Sequence, residues 1–239
     1  MSRSFAAVRP THDPALLGPV RLGLVTGIAA EARIAADCCS LIGCSGGSPA
    51  RARAEAERLV AEGATHLVSF GIAGGLDAAL EPGALIIPDA VLASGARRYA
   101  TDRLWRERLL ASLPDASCGA LYGSDSLIES VAEKRALYRE TGARAVDLES
   151  HAVAAAAERL ARPFIAFRAI SDPAERRLPP AVRVGLKADG STAIGQVLLH
   201  VARRPGQLAS LIRTAFDAGT ALKSLRGLIE ILAKTAPAA

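Results

Sequence analysis

From Val20 to about residue 172 the chain alternates short apolar runs with alanine-rich or amphipathic stretches, and no other feature limits its fold as tightly. "VRLGLVTGIAAEARIAA" starts as a strand with a near-continuous apolar run, Val20 to Val25. It turns at Thr26 and Gly27 and continues as a helix. "SPARARAEAERLVAEGA" reads as a helix with Ser48 as N-cap, Pro49 in the first turn and Gly63 at its end. "THLVSFGIAGG" is a second buried strand running into glycines, and "GALIIPDAVLA" a third, ended or edged by Pro88. Further on, "DRLWRERLLASL" has helical spacing, "CGALYGSDSLI" reads as strand and loop, and "ESVAEKRALYRETG" as helix. "ARAVDLE", "SHAVAAAAERL" and "RPFIAFRAISD" then read as strand, helix and strand. The pattern predicts an α/β fold: a single domain with a mostly parallel twisted sheet and helices on both faces.

Residues 1–19 contain Arg and Pro but no continuous apolar run, so they read as a loose leader before a core of 20–173. Residues 174–239 change character. A polar, Pro-rich loop is followed by two helices, "TAIGQVLLHVAR" and "PGQLASLIRTAFDAGTALKSLRGLIEILAK", a C-terminal helical extension. In the last helix Leu208, Leu211, Ile212, Ala215, Leu222, Leu225, Ile229 and Leu232 form one apolar stripe. Such a stripe either docks on the core or lies on a membrane surface.

Half of the 239 residues are apolar but only 4% aromatic, so the core must be built from Ala, Val, Leu and Ile. The net charge of +5 has its excess late in the chain, but no Lys/Arg run or interleaved aromatics accompany it, which speaks against nucleic acid as a partner. No apolar stretch reaches the ~18 residues needed to span a bilayer. Cys38, Cys39, Cys44 and Cys118 lack paired metal-ligand spacing and read as free thiols of a reducing cytoplasm. His66 and His151 have no ligand partner at helical spacing, so no metal site is expected.

In parallel sheets ligands bind outside the carboxyl ends of the strands. The polar residues just past those ends are Glu31, the "GIAGG" turn at 71–75, Asp125, the pair Asp147 and Glu149, and Ser171 with Asp172. Each acid alone has a plain reading as a first-turn acid or a loop cap. Together, Glu31, Glu149 and Asp172 converge on one rim if the strand order brings those ends together. Asp147 and Glu149, two residues apart, would share a pleat face, with Glu149 the ligand-facing acid and Asp147 its support. "GIAGG" is not G-x-G-x-x-G, so a dinucleotide site is not expected.

The order Gly-x-x-x-Gly-x-x-x-Glu, "SFGIAGGLDAALEPGALIIPDAV", "VDLESHAVA" and "PFIAFRAISDPA" resembles the nucleoside phosphorylase and nucleosidase superfamily. The likeness is to its methylthioadenosine/S-adenosylhomocysteine nucleosidase branch in particular. The C-terminal "RRPGQLASLIRTAFDAGTALKSL" further resembles the hopanoid-associated phosphorylases, which act on adenosylhopane. The resemblance implies an enzyme that releases adenine from a 5′-modified adenosine. It implies Glu31 as the base that activates water, Glu149 as the ligand of the ribose hydroxyls and Asp172 as the acid at purine N7. Ser171 and Gly74 would lie beside the substrate. Leu148 matches the apolar residue under the ribose, while Leu127 and Ile128 fall where the base is flanked. Leu127 replaces an aromatic, which weakens stacking, and the short span after Glu31 leaves the pocket more open.

The resemblance implies no cofactor, with phosphate as the alternative co-substrate. Ser69 and Ile72 stand where one phosphorylase branch has Arg and Ser, so Arg33 and Arg51 are the cations left for a phosphate. Water and phosphate both stay open as nucleophile. A non-catalytic nucleoside-binding module is the competing class, though binding alone does not require Glu31. The resemblance also implies a homodimer or higher homo-oligomer in the cytoplasm. A lipid-linked substrate would add peripheral contact with the inner face of the membrane through the last helix.

Overall fold

The computed structural model describes residues 6–8, 19–180, 190–191 and 208–235. In chain order the elements are β1 (Ala6–Val8), β2 (Leu22–Thr26), α1 (Ala29–Ala35), β3 (Leu41–Cys44), α2 (Pro49–Ala61), β4 (His66–Gly75), β5 (Leu85–Ile86) and β6 (Ala90–Ala93). Then follow β7 (Arg97–Ala100), α3 (Arg103–Ser112), β8 (Ala120–Gly123), α4 (Val131–Thr141), β9 (Ala145–Asp147), α5 (Ser150–Arg159), β10 (Phe164–Asp172) and α6 (Leu208–Thr235).

The strands join one mixed, mostly parallel sheet, as the alternation predicts. Its spine is β4 with β10, parallel from Phe164↔Leu67 onward. On the other edge of β4, β2 pairs in parallel as far as Thr26↔Phe70. The same edge is taken up again by β9, which runs antiparallel with Val146 opposite Gly74. The carboxyl ends of β2 and β9 therefore point at each other across Gly71–Ala73. That gap in the ladder is the switch point where an α/β sheet can receive a ligand.

Two apolar layers cover the sheet. On one face Ala52, Ala56 and Leu59 of α2 meet Ala152, Val153, Ala156 and Ala157 of α5. The alanine run of α5 lets that helix lie close on the strands, because a methyl group is all that separates the backbones. On the other face Ile34, Trp105, Leu109, Ala221, Leu225, Leu228, Ile229 and Leu232 bury α1, α3 and the second half of α6.

Several local expectations change. Three residues of the expected loose leader, Ala6–Val8, pair in parallel with β7, an edge interaction of main chain that needs no side-chain pattern. The third strand is two, β5 and β6, separated at Ile87–Asp89, where Pro88 interrupts the ladder. Strands β3 and β7 are additional. The expected helix "TAIGQVLLHVAR" lies outside the described residues. The stripe of α6 divides: its second half docks, while Leu208, Ile212 and Phe216 remain 49%, 61% and 76% exposed. Among the described residues no helix is long and apolar enough to cross a membrane.

Candidate active site

The chain turns from β2 into α1 at Gly27 and Ile28, and Glu31 folds back beneath that turn. Its Oε2 accepts the backbone N–H of Gly27 at 2.8 Å and of Ile28 at 2.9 Å. Its Oε1 accepts the N–H of Ile72, at 2.8 Å, inside the gap between β2 and β9. Glu31 is thus more than a favourable first-turn acid; it stitches the start of α1 to the middle of β4. Only 2% of it is exposed, and burial pushes its carboxyl above the ordinary 4.5 although the N–H donors and Arg168 work against the rise.

Across the gap, β9 ends at Asp147, and Glu149 is the N-cap residue of α5, with φ −120° and ψ −33°. The pleat does not continue to Glu149, so the two acids do not share a strand face as the spacing suggested. Asp147 turns under the sheet. Its Oδ2 accepts from Arg168 Nε at 2.7 Å and from Ser150 Oγ at 2.6 Å. Arg168 Nη2 also donates to Ser69 Oγ at 2.7 Å and to Ser150 Oγ at 3.0 Å. Glu149 turns toward the rim, where Ser45 Oγ approaches its Oε1 at 3.5 Å. Burial, then Asp147, push Glu149 from 4.5 up to about 8, with Arg168 opposing. Burial works against the charge of Arg168, yet Asp147, Glu149 and Glu31 together hold its pKa above the ordinary value.

On the far edge of β4 the register with β10 slips, so that Ile170 faces Ala73 while Asp172 faces Gly74. The extra residue, Ser171, makes a bulge that re-aims Asp172. Asp172 Oδ2 accepts from Lys134 Nζ at 2.5 Å, and Oδ1 accepts from Ser171 Oγ at 3.1 Å. Burial raises its pKa, while Lys134, Ser171 and Arg176 pull it back.

The glycines of the rim make room for these acids. A Cβ on Gly71 would lie 2.6 Å from Glu31 Oε1, on Gly27 2.8 Å from Glu149 Oε1, and on Gly74 3.0 Å from Asp172 Oδ2. Each acid has one glycine beneath it. "GIAGG" is therefore a bed for carboxylates, a role that leaves no phosphate-binding pattern in the sequence.

The fold thus brings Glu31, Glu149, Asp172, Ser171 and Gly74 to the carboxyl ends of β2, β4, β9 and β10. Leu148 sits half-buried between Asp147 and Glu149, and Leu127 is half-buried in the loop after β8. Ile128, in the same loop, packs on the cluster of Leu76, Leu92, Ala143 and Val146. Arg33 is exposed and its Nε donates to Ala29 O at 3.2 Å on its own helix. Arg51 donates to Ser45 O and Gly46 O, bracing the turn beside Glu149. Gly190 returns to the rim, where its carbonyl accepts the N–H of Ala29 at 3.0 Å. His66 packs edge-on to Trp105, and His151 Nε2 lies 3.1 Å from Asp125 Oδ1. Among the described residues no group of three His, Cys, Asp or Glu is placed to hold a metal.

Sequence reasoning missed Arg168 and Lys134. The signal for Arg168 was there: a single cation in the middle of the otherwise apolar "FIAFRAIS". Lys134 had none, since "EKR" on a helix reads as a solvated face.

Solved structures resemble the whole fold. A 5′-methylthioadenosine/S-adenosylhomocysteine nucleosidase of Neisseria meningitidis in complex with methylthio-immucillin-A is 18% identical. It has a TM-score of 0.61, over 88% of this chain and 99% of that one. A point mutant of the Helicobacter pylori nucleosidase, with 5′-methylthioadenosine in its active site, is 14% identical, TM-score 0.61, over 89% and 99%. Futalosine hydrolase of the same species is 14% identical, TM-score 0.63, over 89% and 98%. At these identities the likeness speaks for the fold. No curated protein matches the sequence. A family model described as the phosphorylase superfamily matches residues 31–210, three quarters of the chain and all three rim acids, and the chain therefore belongs to the phosphorylase superfamily.

Proposed function

We propose that this protein hydrolyses the N-glycosidic bond of a 5′-modified adenosine and releases adenine. The observation that carries the reading is the rim itself: three buried carboxylates at neighbouring strand ends, with Glu31 held by three backbone N–H donors while burial raises Glu149 and Asp172 toward their protonated forms. Breaking C1′–N9 leaves positive charge on the sugar and negative charge on the purine. In this reading Asp172, protonated, gives its proton to N7 as the C1′–N9 electron pair enters the purine. Glu149 takes the ribose hydroxyls, and the carboxylates around the sugar stabilise its developing charge. Glu31 accepts a proton from the water that bonds to C1′. The enzyme ends with Asp172 ionised and Glu31 protonated, and exchange with solvent resets both.

Water is favoured over phosphate by what Glu31 already holds. The N–H groups of Gly27, Ile28 and Ile72 are natural anion donors, and the Glu31 carboxylate accepts from all three. Phosphate there would have to displace that carboxylate and then lie beside it. Arg33 and Arg51, the cations expected for phosphate, are turned to backbone carbonyls.

For the 5′ group, the resemblance of the C-terminal stretch supports adenosylhopane. A lipid-bodied substrate also suits the exposed Leu208, Ile212 and Phe216 of α6, which would rest on the inner face of the membrane. A second reading, methylthioadenosine or S-adenosylhomocysteine as substrate, is favoured by the neighbours whose names carry those compounds. Homodimer assembly in the cytoplasm belongs to the same proposal and is read by light scattering.

The test is incubation with adenosylhopane, methylthioadenosine and adenosine, with and without phosphate, in heavy-oxygen water. Free adenine and label at C1′ are expected without phosphate, and Glu31→Gln should stop the reaction at every phosphate concentration. A sugar 1-phosphate as sole product would sink the hydrolytic reading, and no adenine from any of the three would sink the activity. Binding to anionic vesicles that Phe216→Ser does not weaken would remove α6 from the membrane proposal.

A further inference from the structure

Lys134 is fully buried, and an ammonium is among the groups least often found inside a protein. The helix that carries it is firmly set. Ser130 and Glu133 form a capping box at the start of α4, and Gly142, at φ 67°, closes its end. From that helix Nζ reaches the end of β10. It lies 2.5 Å from Asp172 Oδ2, 3.0 Å from Pro173 O, 3.1 Å from Arg176 O and 3.4 Å from Asp172 O. The ammonium is therefore spent on one carboxylate and on the backbone of the segment 172–176. A lysine that merely tied α4 to the sheet would be served by the carbonyls alone. This one also takes the single acid proposed to face the purine.

We propose that Lys134 is a positioning residue for Asp172: it occupies Oδ2, leaves Oδ1 to present the proton to the leaving base, and neutralises the carboxylate that remains. The inference rests on the reading of Asp172 given above. In the step, the O–H bond at Oδ1 breaks, the N7–H bond forms, and the electron pair of C1′–N9 passes into the purine. Lys134 keeps its own protons throughout. The other groups facing Asp172 are few. Ser171 donates to Oδ1, Gly74 of β4 lies beneath it, and Arg176 adds a more distant positive charge. Arg176 is itself paired with Asp217 of α6.

Three variants test this, assayed for adenine release from methylthioadenosine, adenosine and adenosylhopane. Lys134→Met should lower kcat by about 10²-fold, the scale of a misplaced catalytic group, with little change in KM. It should also move the alkaline limb of the kcat profile up by ~1–3 pH units, the shift an opposite charge imposes on a nearby acid. Lys134→Arg, which keeps the charge, should keep the wild-type limb even where packing lowers the rate. In an Asp172→Asn background Lys134→Met should cost no further activity, and it should restore stability by removing an unpaired buried ammonium. That double variant answers the question even if Lys134→Met alone does not fold. An unshifted limb in Lys134→Met, or an undiminished further loss in the double variant, overturns the proposal for Lys134. Wild-type turnover by Asp172→Asn alone overturns instead the reading on which it rests.

Discussion

The two sides of the rim are built on different charge arithmetic. On the side proposed to face the sugar, called the sugar side, Asp147, Glu149 and Glu31 share one buried cation, Arg168. On the side proposed to face the purine, called the purine side, Asp172 has a buried cation to itself, Lys134. Fully ionised, the first group would carry a surplus of two negative charges, while the second would be neutral. Burial makes that surplus costly, and with the neighbouring Asp147 charge it pushes Glu149 up to about 8. On the purine side Lys134 opposes the rise that burial imposes on Asp172, so the ionised form is disfavoured less than burial alone would make it. In the proposed reading one sheet thus offers a side on which Glu149 is pushed toward its protonated form beside the base Glu31, and a side on which Lys134 stabilises the spent acid.

Arg168 should be the most damaging residue to remove, because three acids depend on it. Arg168→Met leaves Asp147 without its Nε donor and Ser69 and Ser150 without their shared partner. A loss of ~3–5 kcal/mol is expected, the usual result of stripping one member from a buried ion pair. Lys134→Met should cost less, since Asp172 can take up one proton and become neutral. Urea denaturation of both variants at neutral pH checks the order. Equal losses would mean that the sugar side does not lean on its single cation.

The parts of this arrangement that repeat along the chain were readable from it, and those that depend on a meeting of distant residues were not. The β10 strand and the alanine helix α5 declare themselves by period and composition. Glu31, Glu149 and Asp172 stand out because they follow strand ends. The short β3 and β7 do not, since four residues that borrow their hydrogen bonds from a neighbour need no pattern of their own. The pairing of Asp147 with Arg168 joins residues 21 apart, and that of Lys134 with Asp172 joins residues 38 apart. Lys134 looks solvated because burial is a property of where α4 packs. Glu149 looked like a strand residue because a helix N-cap differs from a pleat in ψ, a torsion the alternation of residue types does not record.

A smaller effect, on pH, sharpens the contrast. An acid whose value is raised by folding binds its proton more tightly in the folded chain. Its stabilising contribution is complete below the unfolded value and is lost as pH rises through the folded one. For Glu149 that window runs from 4.5 to about 8. The wild type should therefore lose stability across it, and Glu149→Gln should flatten much of the slope. Asp172→Asn should flatten it less, because Lys134 opposes the rise at that site. Urea midpoints taken at intervals from about pH 4 to pH 9 decide the matter. A wild-type midpoint that climbs with pH would contradict a Glu149 raised by folding.

The smallest difference is expected at the glycines, and it asks how firmly each acid is held. Neither Gly71 nor Gly74 has a positive φ, so an alanine at either meets a problem of space alone. At Gly71 the new methyl would lie 2.6 Å from Glu31 Oε1 and 2.7 Å from its carboxyl carbon. That carboxylate is pinned by three backbone N–H groups, two from the turn into α1 and one from β4, and cannot retreat without breaking them. At Gly74 the methyl would lie 3.0 Å from Asp172 Oδ2 and 3.3 Å from Oδ1. There the holding groups are the long side chain of Lys134 and the hydroxyl of Ser171, which can follow a shift of a few tenths of an ångström. Gly71→Ala should therefore cost ~1–3 kcal/mol, as overpacking of a buried site does, and Gly74→Ala less than about 1 kcal/mol. Activity should divide the same way, with Gly71→Ala losing most of its kcat and Gly74→Ala keeping a measurable rate. If both variants lose the same stability, the acids are equally movable, and the distinction between a backbone-pinned base and a side-chain-held acid does not stand.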